Sequence, residues 1–494
     1  MKNVLEYLEL TASHLPDKTA CADETASFTF AALRNIAGAL GREIRRHTSA
    51  ANEPVGVIAD RSAATLVRFM GVHYAGCCYV PLDPEAPDAK LLPVLEETGM
   101  QVILGGEEQS GLIERLHFQG TYISTLPEDG ENTSIPDTAP EDPLCLIYTS
   151  GSTGRPKGIL KSHACVINFI DAYAETFDFE GDVIGNQTPF YFDASAKDIY
   201  LMLKGGCTLE VLPTRLFSLP KKLVEYMNER KVSFISWVPS ALSIIVQMNT
   251  FKSILPEYLK KVFFVGEVMP MKYLNKWRAA LPDLLYVNLY GQSEIAGICC
   301  FHKVSGDYGD DDVLPIGKPL KNSRILLIKD GKEITSPGET GEIVIRSGAI
   351  ATEYYHDPEK TAASFLPAED GQTERGFKTG DLARYDADGS LVFASRADSQ
   401  IKHMGHRIEL GEIEAVALTI PEIRRCCCVF EQKKSKIILF AELFEGAALT
   451  DKEIRILLRD KLVNYMQPKQ VILLDAIPQN ANGKIDRPAV MRLL

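Results

Sequence analysis

A chain of 494 residues exceeds what one hydrophobic core usually organises, so two or more domains are expected. Its 45% hydrophobic and 24% charged residues exclude disorder, and a formal net charge of −13 works against nucleic acid or an anionic membrane as partner. The eleven cysteines, an odd number without any C-x-x-C pair, exclude a disulfide framework and argue against zinc. The N-terminus, Met1-Lys2-Asn3-Val4-Leu5-Glu6, lacks a basic region followed by an apolar stretch, and no run approaches the ~20 apolar residues of a membrane helix. A cytoplasmic protein is expected.

In chain order, helical spacing runs from Asn3 to His14 and from Phe30 to Arg45, with Thr29 placed to cap the second helix. β-rich runs follow at 55–58, 78–80 and 101–104, with a helical segment from Ala63 to Tyr74 between the first two. Strands alternating with helices of this length predict a mostly parallel sheet covered by helices. After a Pro- and acid-rich connection (125–143), the apolar run Leu144-Cys145-Leu146-Ile147 delivers the loop Tyr148-Thr149-Ser150-Gly151-Ser152-Thr153-Gly154-Arg155-Pro156-Lys157-Gly158. Glycines let backbone N–H groups approach an anion, hydroxyls donate, and Lys157 or Arg155 offsets charge. This is not the Walker pattern, and such composition equally describes a turn.

A helix from His163 to Phe177 comes next, then an aromatic cluster ending in Asp193, which could cap a helix from Ala194 to Leu203. Strands at 232–238, 261–267 and 285–290 end in polar, glycine-containing turns, where ligands collect in open α/β sheets. Beyond Pro315 the pattern becomes a β-rich lobe of hairpins. The chain closes with helix 410–418, strands 427–431 and 436–443, helix 452–465 and strand 470–474, a small α+β domain. The predicted fold is α/β: a large N-terminal domain (1–397) of mostly parallel sheets flanked by helices with a β-rich lobe, and a C-terminal α+β domain (398–494).

Several separated motifs then occur in one order: the loop at 148–158, Asn288-Leu289-Tyr290-Gly291-Gln292-Ser293-Glu294, Lys378-Thr379-Gly380-Asp381-Leu382, Arg396 through Lys402, Gly405 through Glu414, and Asn482-Gly483-Lys484-Ile485-Asp486-Arg487. In this the chain resembles the adenylate-forming enzymes, and within them the amino-acid adenylation domains of nonribosomal peptide synthesis and the ligases that load D-alanine onto a carrier protein. The resemblance implies ATP and Mg²⁺, an acyl-adenylate with release of pyrophosphate, and a thiol that then displaces AMP. It implies that Thr149, Ser150, Gly151, Ser152, Thr153, Gly154 and Lys157 hold the β- and γ-phosphates. Asn288 and Tyr290 would meet adenine, with Gly291 and Ser293 in the same ATP-binding motif. Asp381, assisted by Arg396, would accept from the ribose hydroxyls, and Glu294 would face the metal. Lys484 would be the catalytic cation between substrate carboxylate and α-phosphate, and Asp398 the hinge of a mobile C-terminal subdomain.

The same resemblance implies that Asp193 pairs with the ammonium of an amino-acid substrate. The side-chain pocket would comprise Ala194, Lys197, Ser236, Phe263, Val265, Leu289, Gly297 and Ile298. Lys197 points to an acidic side chain, unless it snorkels outward or pairs with Asp198 or Glu210; D-alanine is the competing substrate. With only ten residues after Lys484, the thiol is expected in trans, on a phosphopantetheinyl carrier protein. Coenzyme A, and with it an acyl-coenzyme A ligase acting on acids without an amine, is the alternative.

Overall fold

The computed structural model describes residues 1–128, 130, 133–149, 156–369, 374–396, 400–479 and 485–494. The chain divides into two units. One comprises Met1–Pro84, Thr98–Ile147 and Gly158–Ala397; the other comprises Glu85–Glu97, Tyr148–Lys157 and Asp398–Leu494.

Among the described residues the first unit is built on three sheets. The largest has nine strands, in the spatial order Lys318–Pro319, Gly297–Lys303, Leu285–Gln292, Lys261–Val265, Phe234–Trp237, Val183–Asn186, Thr208–Val211, Thr19–Ala22, Ser27–Thr29. From Thr19–Ala22 through Leu285–Gln292 neighbouring strands are parallel, and only the edges are antiparallel. The parallel strands are short apolar runs because helices cover both faces, leaving no solvated side to favour alternation. A seven-stranded sheet contains Pro54–Ile58, Cys78–Leu82, Pro143–Thr149 and Lys157–Ser162. The third, six-stranded and antiparallel, contains Thr340–Ser347, Arg375–Tyr385 and Leu391–Arg396, and forms the β-rich lobe.

Helix boundaries follow side-chain caps. Thr29 accepts from the amide of Ala32 at 3.1 Å and starts helix Phe30–Arg45. Ser162 accepts from Cys165 at 3.3 Å and starts His163–Thr176. The helix Ala63–Tyr74 has the bounds its sequence predicts.

In the second unit the hairpin Gln400–His403 and His406–Glu409 leads into helix Leu410–Ala417 and the sheet Ile423–Glu431, Lys436–Leu443, Gln470–Leu473. Ile408, Ile413, Leu439 and Ile454 share its core. One predicted helix is too long. The apolar spacing 454, 458, 462 continues, yet the helix is Asp451–Arg459, followed by a 3₁₀ turn at Asn464–Met466. The Gln467 amide donates to the Arg459 and Leu462 carbonyls at 3.4 and 3.2 Å, satisfying groups that a continued helix would have used. All eleven cysteines are buried thiols that form no disulfide. Among the described residues no helix is long and apolar enough to cross a membrane.

Candidate active site

The strand Leu285–Gln292 carries one side of the site. Its turn into the antiparallel Gly297–Lys303 is tight enough that a Cβ on Gly291 would sit 1.8 Å from the Gly297 carbonyl oxygen, so only glycine fits there. The strand presents alternate residues to one face. Asn288 donates from Nδ2 to the Pro315 carbonyl at 2.8 Å. The Tyr290 hydroxyl donates to Asp381 Oδ2 at 2.6 Å, and Gln292 Nε2 donates to the same oxygen at 2.7 Å.

Asp381 is fully buried and belongs to Arg375–Tyr385, where its cross-strand neighbour is Arg396. The guanidinium donates to Oδ1 at 2.5 Å. A buried carboxylate thus receives one cation and two neutral donors. Burial and the adjacent Asp381 carboxylate push the Tyr290 phenol well above its usual range, so it remains a donor. Ser293 opens a 3₁₀ turn, Ser293–Ile295, that buries Glu294 completely. There the Tyr354 hydroxyl donates to Glu294 Oε1 at 2.9 Å.

The acid-binding side is assembled around the turn Asp193–Ser195. Asp193 is not the cap of the following helix, which runs Ala196–Gly205 from Ser195 and has no side-chain cap bond. The 3₁₀ turn carries the carboxylate past the cap position, and Asp193 instead accepts a hydrogen bond from the Lys161 ammonium on strand Lys157–Ser162. Lys197 does not snorkel outward. It is 1% exposed, donates to the Ala194 carbonyl at 3.0 Å and lies 3.2 Å from Asp198 Oδ1. Glu210 is not its partner: that carboxylate accepts from Tyr226 and faces Arg230. Burial raises the Asp198 carboxyl, opposed by Lys197 and by the Asn186 amide at 3.0 Å.

The candidate pocket residues other than Ala194 and Lys197 lie on strands of the nine-stranded sheet. Ser236 is registered with Phe263 and Val265 with Leu289, while Ile298 lies opposite Gly291. Phe263, Val265, Leu289 and Ile298 pack in one apolar cluster with Phe169, Tyr173, Ala196 and Ile199. Ser236 is buried beside the Tyr173 hydroxyl. Gly297 has φ +143°, and a Cβ there would meet the Phe169 ring at 2.7 Å. Ala194 is half-buried.

Of the phosphate loop, the Thr149 hydroxyl donates to the Lys157 carbonyl at 3.5 Å, and the Lys157 side chain is buried. Ser150, Gly151, Ser152, Thr153, Gly154, Asp398 and Lys484 lie outside the described residues.

Sequence reasoning missed Lys161, Gln292 as a partner of Asp381, and Tyr354. Lys161 left one signal: a charge in the strand run Gly158-Ile159-Leu160-Lys161, at the alternate position to a buried Ile159.

The α/β architecture is the fold of the adenylate-forming enzymes. More particularly, the chain belongs to the AMP-binding enzyme family, which matches residues 8–355, with the AMP-binding enzyme C-terminal domain matching 412–484. It is 31% identical over 493 residues to tyrocidine synthase 3 of Brevibacillus parabrevis, covering 98% of this chain but 8% of that synthase. It is 30% identical over 504 residues to the D-alanine--D-alanyl carrier protein ligase of Bacillus cytotoxicus, covering 99% of both. Among solved structures, IdnL1 is similar with a TM-score of 0.82 and 26% identity, covering 97% of this chain and 99% of that one.

Proposed function

We propose that the protein is a ligase that activates an amino acid with ATP as the aminoacyl-adenylate and transfers it to the phosphopantetheine thiol of a carrier protein in trans. One observation carries this reading. A buried carboxylate, Asp193, is delivered by the turn whose helix contributes Ala196 and Ile199 to the apolar cluster of Phe263, Val265, Leu289 and Ile298. A charged hold next to an apolar wall suits an acid with a polar α-substituent and a side chain. Membership of the family, and the D-alanyl carrier protein ligase matched from end to end, support the reaction type.

In the first step a carboxylate oxygen of the substrate attacks the α-phosphorus, and the bond to pyrophosphate breaks. In the second the carrier thiol attacks the carbonyl carbon and AMP leaves. Asp381, held by Arg396, Tyr290 and Gln292, accepts from the ribose hydroxyls, and Tyr290 and Asn288 line the adenine. The loop from Thr149 to Lys157 holds the departing phosphates. Lys484, on the C-terminal subdomain that turns about Asp398, stabilises the charge that grows between the two anions.

Among the described residues no three His, Cys, Asp or Glu side chains converge as a metal site. That fits Mg²⁺, which usually takes one or two carboxylates and otherwise phosphate oxygens and water; Glu294 is the candidate carboxylate. When bound, the ion would offset phosphate charge. Eleven buried thiols that form no disulfide support a reducing, cytoplasmic setting.

Lys197 no longer speaks for an acidic substrate by itself, because Asp198 already opposes its charge. The test is ATP–pyrophosphate exchange with L-Glu, L-Asp, D-Ala, small neutral amino acids and acids without an amine. Amino-acid-dependent exchange is expected, and Lys484→Ala should lower it roughly 10²–10³-fold while transfer from a supplied aminoacyl-adenylate persists. Exchange with no acid in the panel would overturn the assignment.

A further inference from the structure

The amine hold of this site is already occupied from within. Lys161 is 1% exposed and Asp193 9% exposed, and the lysine ammonium donates to Asp193 Oδ1. Burial lowers the Lys161 ammonium, and among the described residues Cys145, Cys165 and Glu294 oppose this electrostatically. Burial pushes the Cys145 thiol up to about 12, so the sulfur is neutral and supplies no competing anion. Asp193 is therefore the direct counter-ion of Lys161. An incoming α-ammonium must share that carboxylate with a second cation, and in a buried site two like charges a few ångströms apart repel strongly. An α-hydroxyl meets no such penalty. It is both donor and acceptor, and the pair offers both complements: a carboxylate oxygen to accept its proton and an ammonium to donate to its oxygen.

We propose that the Lys161–Asp193 pair gives the enzyme a further activity, adenylation of 2-hydroxy acids, with Lys161 as the residue that sets the balance between α-hydroxyl and α-amine. The proposal rests on the assignment of Asp193 as the group that meets the α-substituent. The chemistry at the reacting atoms is unchanged: the carboxylate oxygen of the hydroxy acid bonds to the α-phosphorus, and pyrophosphate leaves with the electrons of the broken P–O bond. The thiol step then gives a 2-hydroxyacyl thioester.

The experiment compares acids that differ only at the α-substituent: alanine with lactate in both configurations, L-valine with L-2-hydroxyisovalerate, and L-glutamate with L-2-hydroxyglutarate, in ATP–pyrophosphate exchange with the full-length protein. For the wild type, kcat/KM of the hydroxy acid should lie within about tenfold of its amino counterpart. Lys161→Met should raise the amine-to-hydroxyl ratio at least tenfold, chiefly by lowering KM for the amino acid as the competing cation is removed. A gain of affinity is not produced by a loosened fold. Lys161→Gln, which keeps a donor without the charge, should move the ratio in the same direction and serves if the Met variant does not fold. An amino acid that exchanges while its hydroxy counterpart does not would overturn this proposal and leave the amino-acid assignment standing. A ratio unchanged in both variants would remove Lys161 from it, and silence from every pair would overturn the assignment on which it rests.

Discussion

Asp381 and Asp193 are both buried carboxylates facing a buried cation, and they are satisfied very differently. Asp381 receives Arg396 on one oxygen and the neutral donors Tyr290 and Gln292 on the other, all from strands of sheets that fix them. Asp193, itself on a turn rather than a strand, receives the ammonium of Lys161 from 32 positions away in sequence. Arginine in a fork of fixed geometry, backed by a hairpin register, makes a rigid acceptor for a ligand part that never varies. A flexible lysine opposite a short turn makes an acceptor whose preference one residue can retune. The nucleotide side is thus built for constancy, and the acid side for choice.

The largest effect should come from breaking the first of the pair. Asp381→Asn leaves the nearly buried Arg396 guanidinium without its carboxylate, a change that typically costs about 3–5 kcal/mol of stability. Loss of a charged acceptor for ribose should also lower kcat/KM for ATP roughly 10–100-fold, since bonds to charged groups contribute about 1.5–3 kcal/mol. Asp193→Asn should lower kcat/KM for the amino acid by a similar factor while KM for ATP moves less than about threefold. Steady-state kinetics with each substrate varied in turn checks both. If Asp193→Asn raises KM for ATP as much as Asp381→Asn does, the two holds do not act separately and the contrast fails.

A finer cut separates the neutral donors from the cation. Tyr290→Phe keeps the ring and removes the hydroxyl that donates to Asp381 at 2.6 Å. Gln292 and Arg396 still hold the carboxylate, so KM for ATP should rise only about tenfold, the low end of what one hydrogen bond to a charged group contributes. A loss as large as that of Asp381→Asn would mean that the hydroxyl, rather than the arginine, sets the acceptor.

This contrast also explains what was legible in the sequence. Asp381, Arg396, Tyr290 and the turn at Gly291 lie in contiguous motifs, and the family resemblance those motifs carry singles them out before any fold is known. The helix Ala63–Tyr74 and the strand Lys436–Leu443 were legible for a related reason: periodicity is a local property. Lys161 was not, because a single lysine in an apolar strand reads as an outward-facing residue until Asp193 is brought against it. Tyr290 and Asp381 stand 91 positions apart, so their hydrogen bond belongs to the tertiary fold even though each residue was singled out beforehand. Likewise nothing local in 460–466 reveals that Gln467 ends the helix that the apolar spacing would extend.

Glu210 offers the smallest and most discriminating test, because it is a buried carboxylate without a buried cation. It accepts from the Tyr226 hydroxyl at 2.6 Å, and its cation, Arg230, is partly exposed and 3.5 Å away. Burial, only partly opposed by Tyr226 and Arg230, pushes its carboxyl up to about 7. The sign follows from linkage. Between the ordinary glutamate value and about 7 the folded state holds a proton that the unfolded state has lost, so stability falls as pH rises through that window and the loss is complete above it. Glu210→Gln removes this contribution. In urea titrations from pH 5 to 8 the variant should gain steadily on the wild type, with the two alike at the acid end. Parallel curves would mean that a half-exposed arginine satisfies a buried carboxylate as well as Arg396 or Lys161 does, and the burial of those two cations would then need another reason.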